Sequence, residues 1–124
     1  MSENRKILVV DDDESIRVMV ERVLRREQYQ VDSARDGFEA IEKLAQTDYN
    51  AILLDLMMPG LDGLGVLDYL EEHRPELESS VIIMSANLPA AYDTRRMRKV
   101  GKILPKPFDL SDLIAQVRGS DIAL

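Results

Sequence analysis

The chain contains no cysteine. Disulfides, thiolate metal sites and cysteine nucleophiles are therefore unavailable to it, which suits a reducing cytoplasm, the expected location. Histidine is almost as scarce, with His73 the single example. Basic charge is in deficit: 16 Lys and Arg stand against 23 Asp and Glu, for a formal net charge of -7. Direct contact with nucleic acid is disfavoured, because binding phosphates needs a basic surface. Long apolar runs are missing as well. The first, Ile7 to Val10, has four residues, too few for a signal peptide or a membrane span. A soluble protein with no membrane partner is expected.

What is present describes one ordinary globular domain. A length of 124 residues with 45% hydrophobic and 31% charged residues allows a real core but no second domain. The expected unit is a single domain over 1–124, with its core at about 5–118 and 119–124 as a tail or the start of a linker. Three runs, Ile7 to Val10, Ala51 to Leu54 and Val81 to Met84, are apolar without alternation and read as strands buried on both faces. Tyr29 to Ala34 alternates and reads as an edge strand. Lys102 to Leu104 is a very short fifth strand.

Between these runs the apolar spacing is helical. Ile16, Met19, Val20, Val23 and Leu24 form the expected inner face of a first helix, and Phe38, Ile41, Leu44 and Ala45 that of a second. Leu64, Leu67 and Leu70 mark a third, ended by Pro75. A fourth, weakly patterned, is expected over Pro89 to Val100. Leu110, Leu113, Ile114 and Val117 mark the last, before Gly119. Five strand-helix alternations imply a parallel α/β sheet with right-handed crossovers and helices on both faces. Placing the alternating and the short strand at the edges gives the order 2-1-3-4-5, a flavodoxin-like doubly wound fold with five helices. Ligands bind such sheets at the switch point, here between strands one and three.

Asp11, Asp12 and Asp55 end those two strands. Like charges about 4 Å apart repel by roughly 4 kcal/mol at an effective dielectric near 20. An oxygen-only donor set with neither His nor Cys suits Mg²⁺, or Mn²⁺, as the offsetting cation. Asp13 is expected to cap the first helix, and Asp62 to cap the third or hold its turn. Ser85 and Lys106 close strands four and five at the same edge. Carboxylate, divalent cation, hydroxyl and ammonium together are what phosphoryl transfer requires, with Asp55 as nucleophile.

The segments Ile7-Leu-Val-Val-Asp-Asp-Asp13, Leu54-Asp-Leu-Met-Met-Pro-Gly-Leu-Asp-Gly63, Met84-Ser-Ala86 and Leu104-Pro-Lys-Pro-Phe108 occur in order. In them the chain resembles a response-regulator receiver domain of the chemotaxis-regulator kind, over nearly its whole length. The resemblance implies a signalling domain rather than an enzyme in the usual sense. Its Asp55 would accept a phosphoryl group from a histidine kinase or phosphotransfer protein, in a Mg²⁺-dependent reaction that the domain itself assists. It further implies that Asp11 and Asp12 form the acid pair with Asp12 a direct ligand, and that the Met57 carbonyl completes the cation's protein ligands. Ser85 and Lys106 would hold phosphoryl oxygens, and Lys106-Pro107 would be cis. Met57 and Asn87 fall at positions that tune phosphate lifetime, and Arg95, Arg96, Arg98 and Lys99 on the helix used for output.

One departure stands out. Receivers usually carry an aromatic residue three positions before the lysine, and its swing towards the Ser85 position couples phosphorylation to output; here that residue is Ile103. Two other readings fit these residues less well. A small Mg²⁺-dependent aspartyl phosphatase would need an acid two residues beyond Asp55, where Met57 stands. A phosphate-independent interaction module conflicts with the intact acid set. His73, near a helix end, favours the helix dipole rather than catalysis.

Overall fold

Side chains of a strand point alternately to its two faces, and the three apolar runs use that alternation to build two cores. The computed structural model describes residues 5–58, 60–85, 100 and 102–122, with side chains up to Gly119. Strands β1 (Lys6–Val10), β2 (Gln30–Ala34), β3 (Ala51–Asp55), β4 (Val81–Ser85) and β5 (Lys102–Pro105) form one sheet in the order β2-β1-β3-β4-β5. Every pairing in it is parallel. The expected fold class, strand order and edge strands are therefore found.

Helices α1 (Glu14–Arg26), α2 (Gly37–Gln46) and α3 (Gly63–His73) follow β1, β2 and β3 in turn. A short 3-10 helix (Pro75–Ser80) precedes β4, and α4 (Leu110–Ile122) closes the chain. The helix expected over 89–100 lies outside the described residues. Leu8, Val10, Ile52, Leu54 and Ile83 pack with Ala40 and Leu44 of α2 and Val66, Leu67 and Leu70 of α3. On the other face Ile7, Val9, Leu53, Ile82 and Met84 meet Val20, Val23 and Leu24 of α1 and Leu113 and Val117 of α4. Each helix covers the sheet with one apolar stripe, as a two-faced parallel sheet demands.

The caps fall where the acids are. The Asp13 carboxylate accepts from the Ile16 amide, and that of Asp62 from the Gly65 amide, so both are N-caps. α1 ends at Arg26 with Glu27 as its C-cap, and Gln28 just beyond takes a left-handed φ of 79°, a common helix stop although Gly fits it best.

Four apolar residues assigned to helix faces differ from expectation. Phe38 is 64% exposed, Leu110 43% and Met19 39%, and Ala45 is exposed as well. The inner face of α2 runs instead through Gly37, Ala40 and Leu44. Gly37 is the reason: its amide donates to Leu61 O at 3.1 Å, and a Cβ there would lie 2.3 Å from that oxygen. The helix start thus seats against backbone and turns Phe38 outward. In α1 the buried face runs through Arg17, Val20, Val23 and Leu24, leaving Met19 outside. α4 continues past Gly119 to Ile122 rather than stopping before it. Gly119 serves close approach, since a Cβ would meet Lys102 Nζ at 2.2 Å.

Candidate functional site

β1 leaves towards β2 on one side and pairs with β3 on the other, so the carboxyl ends of β1 and β3 flank a crevice that no crossover covers. Asp11 follows β1, and its amide extends the ladder to Ala34 O at 3.2 Å. Asp55 is the last residue of β3 and sits opposite Met84 of β4. Ser85 ends β4 opposite Pro105 of β5, and the Lys106 amide donates to Ser85 O at 2.9 Å. Strand register thus brings these side chains to one edge.

Carboxylate oxygens of Asp11, Asp12 and Asp55 all lie within 4.8 Å of one another. Asp11 and Asp55 are buried, while Asp12 is exposed. Lys106 Nζ stands 3.0 Å from Asp11 Oδ2 and 3.5 Å from Asp55 Oδ2, a single ammonium against three acids. The turn fixes the acids further: the Asp13 amide donates to Asp11 Oδ1 at 2.9 Å, and the Met57 amide to Asp55 Oδ1 at 3.1 Å. The Lys106-Pro107 bond is cis, as the resemblance implied.

Electrostatics follow from that crowding. Burial pushes the Asp55 carboxyl up to about 6; the Met57 amide opposes the rise, Asp11 adds to it and Lys106 opposes it. For Lys106 burial acts against the ammonium, but the hydrogen bond and charge of Asp11, with those of Asp55, outweigh it and hold the pKa above its ordinary value. The donor set fits a hard divalent cation: three carboxylates, oxygen donors only, and an uncompensated negative charge after Lys106 is counted.

The loop after β3 is shaped for access. Met58 is buried while Met57 beside it is 64% exposed. Gly60, with φ of 76°, turns the chain, and the Gly63 amide returns to Leu56 O at 3.2 Å. Ile103, on β5, is partly buried against the core shared with α2 and α3. Asn87, Arg95, Arg96, Arg98 and Lys99 lie outside the described residues. One residue escaped the sequence reading: Arg17 is 8% exposed and its Nη1 donates to Asp11 O at 2.9 Å. Its signal was a charge at the spacing of Val20 and Leu24 on an otherwise apolar face.

A doubly wound parallel sheet with clustered aspartates and a lysine at its switch point is an α/β fold of the kind that places ligands at the carboxyl ends of its strands. The chain belongs to the response regulator receiver domain family, whose description matches residues 7–118. It is similar to the response regulator MprA of Mycobacterium ulcerans, at 39% identity over 91% of this chain and 48% of that protein. To the protein PilG of Pseudomonas aeruginosa it is 33% identical, over 94% of this chain and 87% of PilG. The response regulator TrrA of Thermotoga maritima, solved in complex with Mg(2+)-BeF, superposes with a TM-score of 0.81 at 28% identity, covering 94% of this chain and 98% of that one. The chain spans about half the length of the mycobacterial relatives.

As a receiver domain the chain is a phosphorylation-controlled signalling switch of two-component systems, a class that interacts with histidine kinases or phosphotransfer proteins. None of its described helices is long and apolar enough to cross a membrane.

Proposed function

We propose that Asp55 is the phosphoacceptor, taking its phosphoryl group from a phosphohistidine of a histidine kinase or phosphotransfer protein in the cytoplasm. An Asp55 carboxylate oxygen forms the new O–P bond as the P–N bond to the donor imidazole breaks. The electron pair leaves with the imidazole nitrogen, which then takes a proton. Asp11, Asp12, Asp55 and the Met57 carbonyl would hold Mg²⁺, or Mn²⁺ in its place. When bound, that ion neutralises charge on the carboxylates and on the phosphoryl oxygens. Lys106 leaves its bridge between Asp11 and Asp55 to pair with one phosphoryl oxygen, and the Ser85 hydroxyl donates to another. These contacts stabilise charge that develops in the transition state, which is how this reaction is catalysed. By this reading the domain assists both its own phosphorylation and its dephosphorylation, and Met57 and Asn87 stand at the sequence positions that tune the lifetime of the phosphate.

Output follows from the same site. Ser85 drawn towards the phosphoryl group leaves a space that Ile103 fills less fully than an aromatic ring, so the coupling to the basic run Arg95, Arg96, Arg98 and Lys99 is weakened relative to an aromatic switch. The unit is a single domain with its core at about 5–118, and it makes no nucleic-acid contact of its own.

The observation that carries this reading is the Lys106 ammonium at 3.0 Å from Asp11 and 3.5 Å from Asp55, beside three carboxylates within 4.8 Å. Intact mass after incubation with acetyl phosphate and Mg²⁺ tests it. One phosphoryl adduct is expected, lost in Asp55→Asn and in excess EDTA. An adduct that persists in Asp55→Asn, or none in the wild type with Mg²⁺ bound, would refute it.

A further inference from the structure

Asp11, Arg17, Asp55 and Ser85 are the polar or charged residues buried among the described ones. Three of them belong to the site already described. Arg17 does not, and neither its helix nor its core accounts for it. It lies near the start of α1 (Glu14–Arg26), where the helix dipole disfavours a cation. Its companions on the inner face, Val20 and Leu24, are fully buried and apolar, and a charge among such groups is costly unless it is compensated. Among the described residues its guanidinium has one acceptor, Asp11 O, at 2.9 Å.

That acceptor completes a pattern. Asp11 is wholly buried and held at each polar atom. Its amide donates to Ala34 O at 3.2 Å. Oδ1 accepts from the Asp13 amide at 2.9 Å, Oδ2 from Lys106 Nζ at 3.0 Å, and the carbonyl from Arg17 Nη1 at 2.9 Å. The carbonyl belongs to the peptide that joins Asp11 to Asp12, and a peptide is planar and rigid. Fixing its oxygen fixes the plane that carries the Asp12 N–Cα bond, which leaves the Asp12 φ as the one backbone rotation still setting where its side chain leaves. Asp12 is the exposed member of the trio, and no side-chain partner holds it among the described residues.

We propose that Arg17 is a positioning residue of the cation site. It clamps the Asp11–Asp12 peptide from the helix side, so that the Asp12 carboxylate is held ready to share a cation with Asp11 and Asp55. Its charge also offsets part of the repulsion among the three acids before a cation arrives. The inference rests on the proposed metal role of the trio. Outer partners of this kind typically change metal affinity by roughly 10- to 100-fold when removed.

The test is the Mg²⁺ dissociation constant of the whole chain by calorimetric titration, for wild type, Arg17→Met, Arg17→Gln and Val20→Ala. Arg17→Met keeps the length and loses donor and charge, and binding roughly 10- to 100-fold weaker is expected. Val20→Ala is the control for simple loss of packing on the same helix: it lowers the unfolding temperature and leaves the dissociation constant in place. Wild-type affinity in Arg17→Met, or an equal loss in Val20→Ala, overturns the proposal while leaving the metal reading intact. A wild type that binds no Mg²⁺ overturns the metal reading itself. Where Arg17→Met does not fold, Arg17→Gln decides: weaker binding than both wild type and Val20→Ala is expected, and unchanged binding refutes the role.

Discussion

Asp55 ends a wholly buried strand and is itself 5% exposed, so the folded protein receives its charge less readily than water does. Its carboxyl is raised from the ordinary 3.8 to about 6, with burial the first cause. A carboxyl raised by folding favours its protonated form, so the associated stability is complete below about pH 4 and is lost as pH climbs through about 6. At about 1.36 kcal/mol per pH unit the whole loss is at most roughly 3 kcal/mol. Asp55→Asn in metal-free buffer is therefore expected to raise the unfolding temperature at pH 8 and to leave it nearly unchanged at pH 4. Equal midpoints for the two proteins at pH 8 would mean that Lys106 already balances the charge. At this scale Asp11, Asp12, Asp55 and Lys106, each singled out in the sequence, are neighbours in the structure, and Ser85 ends the adjacent strand. Arg17 is the residue that the sequence leaves unmarked, because nothing in the spacing of a lone arginine between apolar helix positions shows that packing buries it.

Helices and strands differ in how much of them could be read in advance. The strands were legible almost residue by residue, since an unbroken apolar run has few alternatives in a chain of this length. The existence of α1 to α4 was legible too, along with the caps Asp13 and Asp62, but helix rotation was not. α2 presents Gly37, Ala40 and Leu44 inward, one step away from the face that Phe38 and Ala45 would have shared. The deciding contact is Gly37 against Leu61 O, which joins α2 to the loop carrying Met57. Gly37→Ala is accordingly expected to cost about 1–3 kcal/mol through overpacking, measured by urea unfolding. A midpoint equal to wild type would mean that the loop yields freely.

The whole molecule brings strand ends from distant parts of the chain to one crevice. The Lys106–Asp11 contact joins residues separated by 95 positions, so the site exists only when the sheet is complete. A ligand that binds this crevice must therefore stabilise the fold as a whole. Mg²⁺ at 100 times its dissociation constant is expected to add about 2.7 kcal/mol, which for a domain of this size raises the unfolding temperature by roughly 10 °C. Thermal scans with Mg²⁺ and with EDTA check this, and coincident curves would remove the cation from the account.

Local pattern alone determined the five strands, their order and the two edges, and the helices α1 to α4. It also determined which acids end strands, because buried strands and amphipathic helices write their periods of 2 and 3.6 directly into the chain. Familiar segments around Asp55 and Lys106 carried the family. Only the tertiary structure decided that Phe38 and Met19 face water, that Arg17 lies buried behind Asp11, and that the Asp55 carboxyl is driven up to about 6. Each of these depends on what a side chain meets across the sheet or the next loop, and that neighbour is set by packing among elements rather than by spacing along any one of them.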